Sequence, residues 1–256
     1  MKSRGLILAG GRGSRLEHLT DNRPKAMVSC LGRPLLEFPL NAMRRAGLDQ
    51  IALVSGYRRE DLEGYQLPIF HNARWESTSI VRGLMMADPW LREATCVISY
   101  GDLFYNADFI QALLAAPGDI ALASASDWRP LWEARFGDPL LDAVSFRLSD
   151  QGDVSEIGSR PASVEEVQGQ YFGLFRISPA GWRQITAVLA MCDAAEIDGL
   201  DMTSLFSLLI RAGVRLTTAS VQGAWGEVDS ETDRDFYEMT YAIDSTGRVM
   251  RRQLPA

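Results

Sequence analysis

The sequence predicts an α/β fold: a Rossmann-like, doubly wound mixed sheet with a smaller β/α part in its second half. Two observations carry this. Short apolar runs alternate with amphipathic stretches through residues 1–126, the mark of buried strands joined by crossover helices. The first run leads straight into a glycine-rich turn, Gly10-Gly11-Arg12-Gly13, the place where nucleotide-binding sheets hold phosphate.

Residues 5–9 read as the first buried strand. Residues 35–46 carry apolar side chains at helical spacing, and Gly47 supplies the stop. Residues 50–55 form a second strand, 60–64 a short helix, 67–70 a short strand, 78–87 a helix and 95–100 another buried strand. Residues 108–115 are helical and 119–124 a strand. Crossovers of this kind are expected to be right-handed. From Asp127 the rhythm changes. Residues 143–148 and 154–157 read as a hairpin around Ser149-Asp150-Gln151-Gly152, and 171–177 as a strand. Residues 179–191 and 201–212 are helical, the second capped at Asp201. A strand over 215–221 and a helix over 230–242 close the series. No repeat or linker divides the chain, so it reads as a single domain over 1–256, with a nucleotide-binding half, 1–126, and a second half, 127–256.

Composition narrows the function classes. Hydrophobic residues make up 46% and charged residues 23%, ordinary values for a globular protein. A net charge of −7 argues against nucleic acid or an anionic membrane as partner. Cys30, Cys96 and Cys192 are far apart and form no CxxC pair, so neither a disulfide framework nor a zinc site is indicated. Two histidines, His18 and His71, leave no room for a His-rich metal site. No apolar run approaches the roughly 18–20 residues of a membrane span. The apolar stretch after Met1-Lys2-Ser3-Arg4 is shorter than the roughly 7–15 residues of a signal peptide. The chain is therefore expected to be cytoplasmic and unprocessed.

The sharpest motif is Leu8-Ala9-Gly10-Gly11-Arg12-Gly13-Ser14-Arg15-Leu16, followed by Arg23-Pro24-Lys25. Glycine lets the backbone approach a ligand closely, and consecutive N–H groups then cradle phosphates. A P-loop would need lysine in GxxxxGK[ST], and a dinucleotide fingerprint would need glycine where Leu16 stands. The motif resembles the signature LAGGxGxRL…PK of the nucleotidyltransferases that join a nucleoside triphosphate to a sugar phosphate or another small phosphorylated compound. That resemblance implies that Leu8, Ala9, Gly10, Gly11 and Gly13 wrap the triphosphate. It also implies that Arg15 contacts phosphates and that Lys25 binds near the reacting one, as the catalytic pair.

Chemistry on phosphates needs charge neutralisation, and Mg²⁺ suits carboxylates. Asp102 follows a buried strand, at the end where ligands bind in open α/β sheets. Asp229 stands between a strand and the last helix. Turn or cap is the other ordinary use of such aspartates. The resemblance implies that Asp102 and Asp229 hold Mg²⁺ together. Glu227 either assists them and the acceptor or has a solvated or structural role.

Further segments resemble the bacterial CTP:phosphocholine cytidylyltransferase-like branch and the cytidylyltransferases of phosphonate biosynthesis. They are His71-Asn72-Ala73-Arg74-Trp75-Glu76, Ser99-Tyr100-Gly101-Asp102, Arg135-Phe136-Gly137-Asp138, Gly169-Gln170-Tyr171-Phe172-Gly173 and Trp225-Gly226-Glu227-Val228-Asp229. The branch implies the nucleotidyltransferase fold, CTP as nucleotide, and a small phosphorylated or phosphonylated acceptor in residues 127–256. Ser79 and Gly101, with Ser99 and Gly83, are the candidate contacts to the nucleotide. For the acceptor, Trp75, Tyr105, Trp128 and Tyr171, with Trp132 and Trp225, would form an aromatic cage around a cationic group, helped by Glu76, Glu227, Asp127 and Glu133. Arg129, with Arg82, Arg135 and Arg160, would instead suit an anionic acceptor. A sugar-1-phosphate or polyol-phosphate nucleotidyltransferase using UTP or another triphosphate is the alternative. A regulatory nucleotide-binding module is disfavoured, because Lys25, Asp102 and Asp229 are all present. The absence of an HxGH motif argues against the other class of cytidylyltransferase. A homodimer is compatible with the aromatic second half.

Overall fold

The computed structural model describes residues 2–252. Met1, which opens the stretch weighed as a leader, and residues 253–256 of the single-domain span lie outside the described residues. Among the described residues, seven strands form the central sheet. They are β1 (Arg4–Leu8), β2 (Ile51–Ser55), β3 (Ile69–His71), β4 (Cys96–Tyr100), β5 (Ile120–Ala125), β6 (Gln170–Ile177) and β7 (Thr217–Val221). Their spatial order is β7-β5-β6-β4-β1-β2-β3. β1 lies parallel between β2 and β4, β3 is parallel to β2, and β7 is parallel to β5. β6 runs antiparallel to both β4 and β5, which makes the sheet mixed.

The strands are largely apolar because both faces are covered, with Ser55, Ser99, Arg176 and Thr217 among the buried polar exceptions. Successive side chains point to opposite sides: Ile7, Leu53, Val97 and Leu174 enter one core, while Leu6, Val54, Ile98 and Phe175 enter the other. Helices α1 (Glu37–Arg45), α4 (Ala107–Ala115), α5 (Trp128–Phe136) and α9 (Glu231–Thr240) cover the first face. Helices α2 (Ile80–Met86), α3 (Asp88–Glu93), α6 (Pro179–Leu189), α7 (Ala194–Gly199) and α8 (Met202–Arg211) cover the second. The doubly wound reading therefore holds. The hairpin of Phe146–Leu148 with Val154–Ile157 is present, and Asp201 caps α8 by accepting from the Ser204 N–H at 2.7 Å.

Three helices were not expected. Helix α5 carries Pro130 in its first turn, where an N–H would lack a partner in any case. Helix α3 starts directly after α2, with Pro89 near its start. Helix α7 is six residues long, too short for periodicity, and is held by an Asp193–Glu196 capping box. Three short antiparallel pairs also escape a pattern-based reading: Ser29–Cys30 with Arg33–Pro34, Leu103–Phe104 with Gly226–Glu227, and Tyr241–Ile243 with Val249–Arg251. Among the described residues no helix is long and apolar enough to cross a membrane.

The cysteines test the packing. Cys30 and Cys96 are fully buried, and burial pushes both thiols up to about 12. Cys192 is partly exposed. A thiol-titrating disulfide reagent at pH 8 is expected to modify one cysteine of the native protein quickly and all three in denaturant. Rapid modification of Cys30 or Cys96 in the native protein would contradict this packing.

Candidate active site

The site lies where β1 and β4 leave the sheet. The Ala9 N–H donates to the Val54 carbonyl at 2.8 Å, and the Gly101 N–H donates to the Leu8 carbonyl at 3.0 Å. The start of the glycine loop is thus clamped between its neighbours. Gly10 accepts from the Tyr57 N–H at 3.0 Å. Gly13 has φ +78°, and a Cβ there would fall 2.7 Å from the Cβ of Lys25. Glycine at 13 is therefore what lets the loop cross over the lysine stem. The fully buried Thr20 braces this crossing by donating from Oγ1 to the Gly13 and Glu17 carbonyls at 3.2 and 3.1 Å. Pro24 then opens the short 3₁₀ turn Lys25–Met27 that aims the lysine inward.

Two carboxylate segments meet that lysine. Leu103–Phe104 and Gly226–Glu227 pair antiparallel, with Glu227 opposite Leu103, and the Val228 N–H donates to the Asp102 carbonyl at 3.2 Å. This pairing brings carboxylate oxygens of Asp102, Glu227 and Asp229 within 4.8 Å of one another. Lys25 Nζ lies 2.6 Å from Asp229 Oδ1 and is also paired with Asp102. Arg15 donates from Nη2 to the same Asp229 oxygen at 2.7 Å.

Burial alone would lower the pKa of Lys25, but the charges of Asp102, Asp229 and Glu227 outweigh it and raise the pKa. The three carboxylates thus hold the lysine in its charged form. Burial alone would raise Asp229, yet Lys25, Arg15 and Arg135 hold it below the usual carboxylate range. Glu227 is pushed well up, first by burial and then by Asp229 and Asp102. Because Arg135 is committed to Asp233, the three carboxylates share two cations, Lys25 and Arg15. Asp102 Oδ1 is buried without a hydrogen-bond partner. A hard oxygen set with one orphaned atom fits a divalent cation of the Mg²⁺ kind, which Asp102 and Asp229 would hold.

The other candidates divide. Leu8, Gly10, Gly11 and Ser79 line a cavity of about 150 Å³ together with Ser55, Asn72 and Gly83. Trp75 lines it too, packed on Tyr57 at 5.1 Å between ring centroids, so it sits on the loop side and not in an acceptor cage. Gly101 backs the loop, since a Cβ there would meet Ala9 and Ala26 at 3.2 Å. The aromatic cage is corrected by burial. Tyr105, Trp128 and Tyr171 are 2%, 4% and 5% exposed, and Trp132 and Trp225 are 1% exposed. Trp128 and Trp132 stand four residues apart on α5 and turn together into the core. Tyr105 stacks on Phe109, and Tyr171 meets Phe206 edge-on on the opposite face of the sheet. Glu76 and Arg129 are exposed, Arg129 paired with Glu133 at 2.7 Å. Arg82 is committed to Asp198 and Arg135 to Asp233. Asp233 and Thr20 were not singled out in the sequence. The Ser230-x-x-Asp233 capping pattern was the available signal for the first.

Residues 5–164 match the family described as MobA-like NTP transferase domain, a span that includes Lys25 and Asp102 and ends before Asp229. The chain is 30% identical over 244 residues to CTP:phosphoglutamine cytidylyltransferase of Campylobacter jejuni, covering 89% of this chain and 96% of that one. It is 39% identical over 114 residues to 2-aminoethylphosphonate cytidylyltransferase of Lancefieldella rimae, covering 43% of this chain and 46% of that one. Its fold is similar to a solved CTP:phosphocholine cytidylyltransferase of Streptococcus pneumoniae, with a TM-score of 0.69 and 19% identity over 93% of this chain and 98% of that one.

The loop geometry separates two neighbouring glycines. Gly13→Ala combines a left-handed φ with a clash, whereas a Cβ at Gly11 would meet nothing within 4 Å. At about 1–3 kcal/mol for the strain, Gly13→Ala is expected to lower Tm by roughly 3–10 °C. Gly11→Ala is expected to shift it by about a degree or less. Equal shifts in a calorimetric scan would refute the crossing of the loop over Lys25.

Proposed function

This chain belongs to the family of MobA-like NTP transferase domains, and on that premise we propose that it is a Mg²⁺-dependent cytidylyltransferase. It transfers CMP from CTP to the phosphate or phosphonate of a small acceptor and releases pyrophosphate. The observation that carries this reading is the Lys25 ammonium, set under the glycine loop and shared by Asp102 and Asp229. The names of the Campylobacter and Lancefieldella relatives support CTP and a small phosphorylated or phosphonylated acceptor. The cavity of about 150 Å³ behind the loop is well below the roughly 300–1,000 Å³ of a whole-ligand pocket. It takes the base, and the triphosphate runs outward along Gly10, Gly11 and Gly13 toward Lys25.

An acceptor oxygen attacks the α-phosphorus of CTP in line. The bond from that phosphorus to the bridging oxygen breaks, and pyrophosphate leaves with the electron pair. No residue need remove a proton, because a phosphomonoester with a second pKa of about 6 is mostly dianionic at pH 7. Lys25 and Arg15 hold fixed positive charge where negative charge concentrates. The loop and the cluster hold the two anions against each other, which turns an encounter into a unimolecular step. Mg²⁺ bound to Asp102 and Asp229 would neutralise triphosphate charge. Glu227 and the exposed Glu76 remain the acidic candidates for contact with the acceptor.

The test is pyrophosphate release with Mg²⁺, each nucleoside triphosphate in turn, and a panel of acceptors: phosphocholine, 2-aminoethylphosphonate, phosphorylated glutamine and glucose-1-phosphate. Release is expected with CTP and a non-sugar acceptor, to need both, and to stop on chelation. Asp102→Asn is expected to abolish turnover, and Lys25→Met to lower kcat by about 100- to 1,000-fold, with both variants folded. Wild-type turnover in Asp102→Asn, or release with UTP and glucose-1-phosphate alone, would overturn the assignment.

A further inference from the structure

We propose that Asp233 and Arg135 are a positioning pair that fixes the turn bearing Asp229, and with it the geometry of the carboxylate cluster. This rests on the nucleotidyl-transfer reading. Asp233 is 7% exposed and sits in the first turn of α9. Its Oδ2 accepts from two consecutive backbone N–H groups, Asp229 at 3.1 Å and Ser230 at 3.0 Å. Its Oδ1 accepts from Arg135 Nε at 3.2 Å and Nη2 at 2.9 Å. A capping box needs the Ser230 contact, which the Ser230 hydroxyl returns by accepting from the Asp233 N–H at 3.1 Å. The Asp229 N–H and the guanidinium go beyond what a cap requires.

Arg135 is equally committed. Its side chain is 3% exposed, and its guanidinium lies 4.9, 4.6 and 5.4 Å from the ring centroids of Trp132, Phe136 and Tyr237. An ion pair this dry gains little stability over apolar residues of the same shape. What it supplies is direction. The aromatic shelf holds the guanidinium, the guanidinium holds one oxygen of Asp233, and the other oxygen holds the Asp229 backbone. An amide at 233 would turn one acceptor into a donor, facing either two N–H groups or the guanidinium. The buried aromatics of the second half thus act on the site through α5, without touching a ligand.

The test uses Asp233→Asn, Arg135→Lys and the double variant. The readouts are residue-resolved amide hydrogen exchange and steady-state kinetics with CTP. In Asp233→Asn, protection is expected to fall at Asp229 and Ser230 while the amides of 234–240 keep theirs. The kcat is expected to fall about 100-fold, with KM for CTP changed less than about threefold. Arg135→Lys keeps the charge but loses the two-pronged contact. It is expected to show the same pattern at smaller size and remains informative if Asp233→Asn does not fold. The double variant is expected to be no worse than the worse single variant. Unchanged kcat in both folded single variants overturns the proposal. So does protection lost evenly along α9 with a matching loss of Tm. If the wild type turns over nothing in the acceptor panel, the functional reading fails by itself. The exchange arm then decides the pair, and unchanged protection at Asp229 and Ser230 refutes it.

Discussion

The structure depends on keeping three carboxylates and one buried ammonium in a space a few ångströms wide. Asp102 comes from one segment and Glu227 and Asp229 from another far along the chain, and like charges this close repel strongly in a dry site. The two-residue pairing of Leu103–Phe104 with Gly226–Glu227 forces them together. Lys25 makes the arrangement tolerable, reached through a crossing that only a residue without a Cβ permits at position 13. Each piece requires the next: the sheet end sets Asp102, the short pairing sets Glu227 and Asp229, and the loop sets the lysine.

Rigid elements carry this strain. The strands that lead into the site are buried on both faces, in two cores that use alternate side chains of the same strands. Function then lies in the loops that leave those strands, where backbone geometry can depart from the sheet. The second half of the chain contributes support as well as two carboxylates of the cluster. Its tryptophans build a shelf under the last helix, and the buried ion pair on that shelf reaches the turn of Asp229.

Much of this was legible in the sequence because the governing physics is local. Strands buried on both faces read as apolar runs, so the central sheet was placed almost residue for residue. The glycine loop with Arg15 and Lys25 was legible through its resemblance to the LAGGxGxRL…PK signature, and the crossing over the Lys25 stem gives the physical reason for glycine at position 13. Asp102 and Asp229 were legible as residues at strand ends. Their meeting was not, because a two-residue strand such as Gly226–Glu227 carries no period. The acceptor cage failed for a related reason. A tryptophan is as suited to a core as to a cation, and sidedness decides which. That sidedness appears only once residues 128–136 are seen as a helix with Trp128 and Trp132 on one face. Arg135 misled in the same way: read as a cation for an anionic acceptor, it is buried on three rings and paired with Asp233.

The proposed chemistry is one of position and charge, with no side chain attacking phosphorus. The stereochemical course at the α-phosphorus tests this most directly. With a CTP analogue carrying a chiral phosphorothioate at the α-position, a single in-line displacement inverts that centre, and inversion is the predicted result. Retention would mean two displacements and a covalent nucleotidyl-enzyme intermediate. That outcome would contradict a site in which Lys25 and Arg15 act as fixed charges around a reaction between two bound anions.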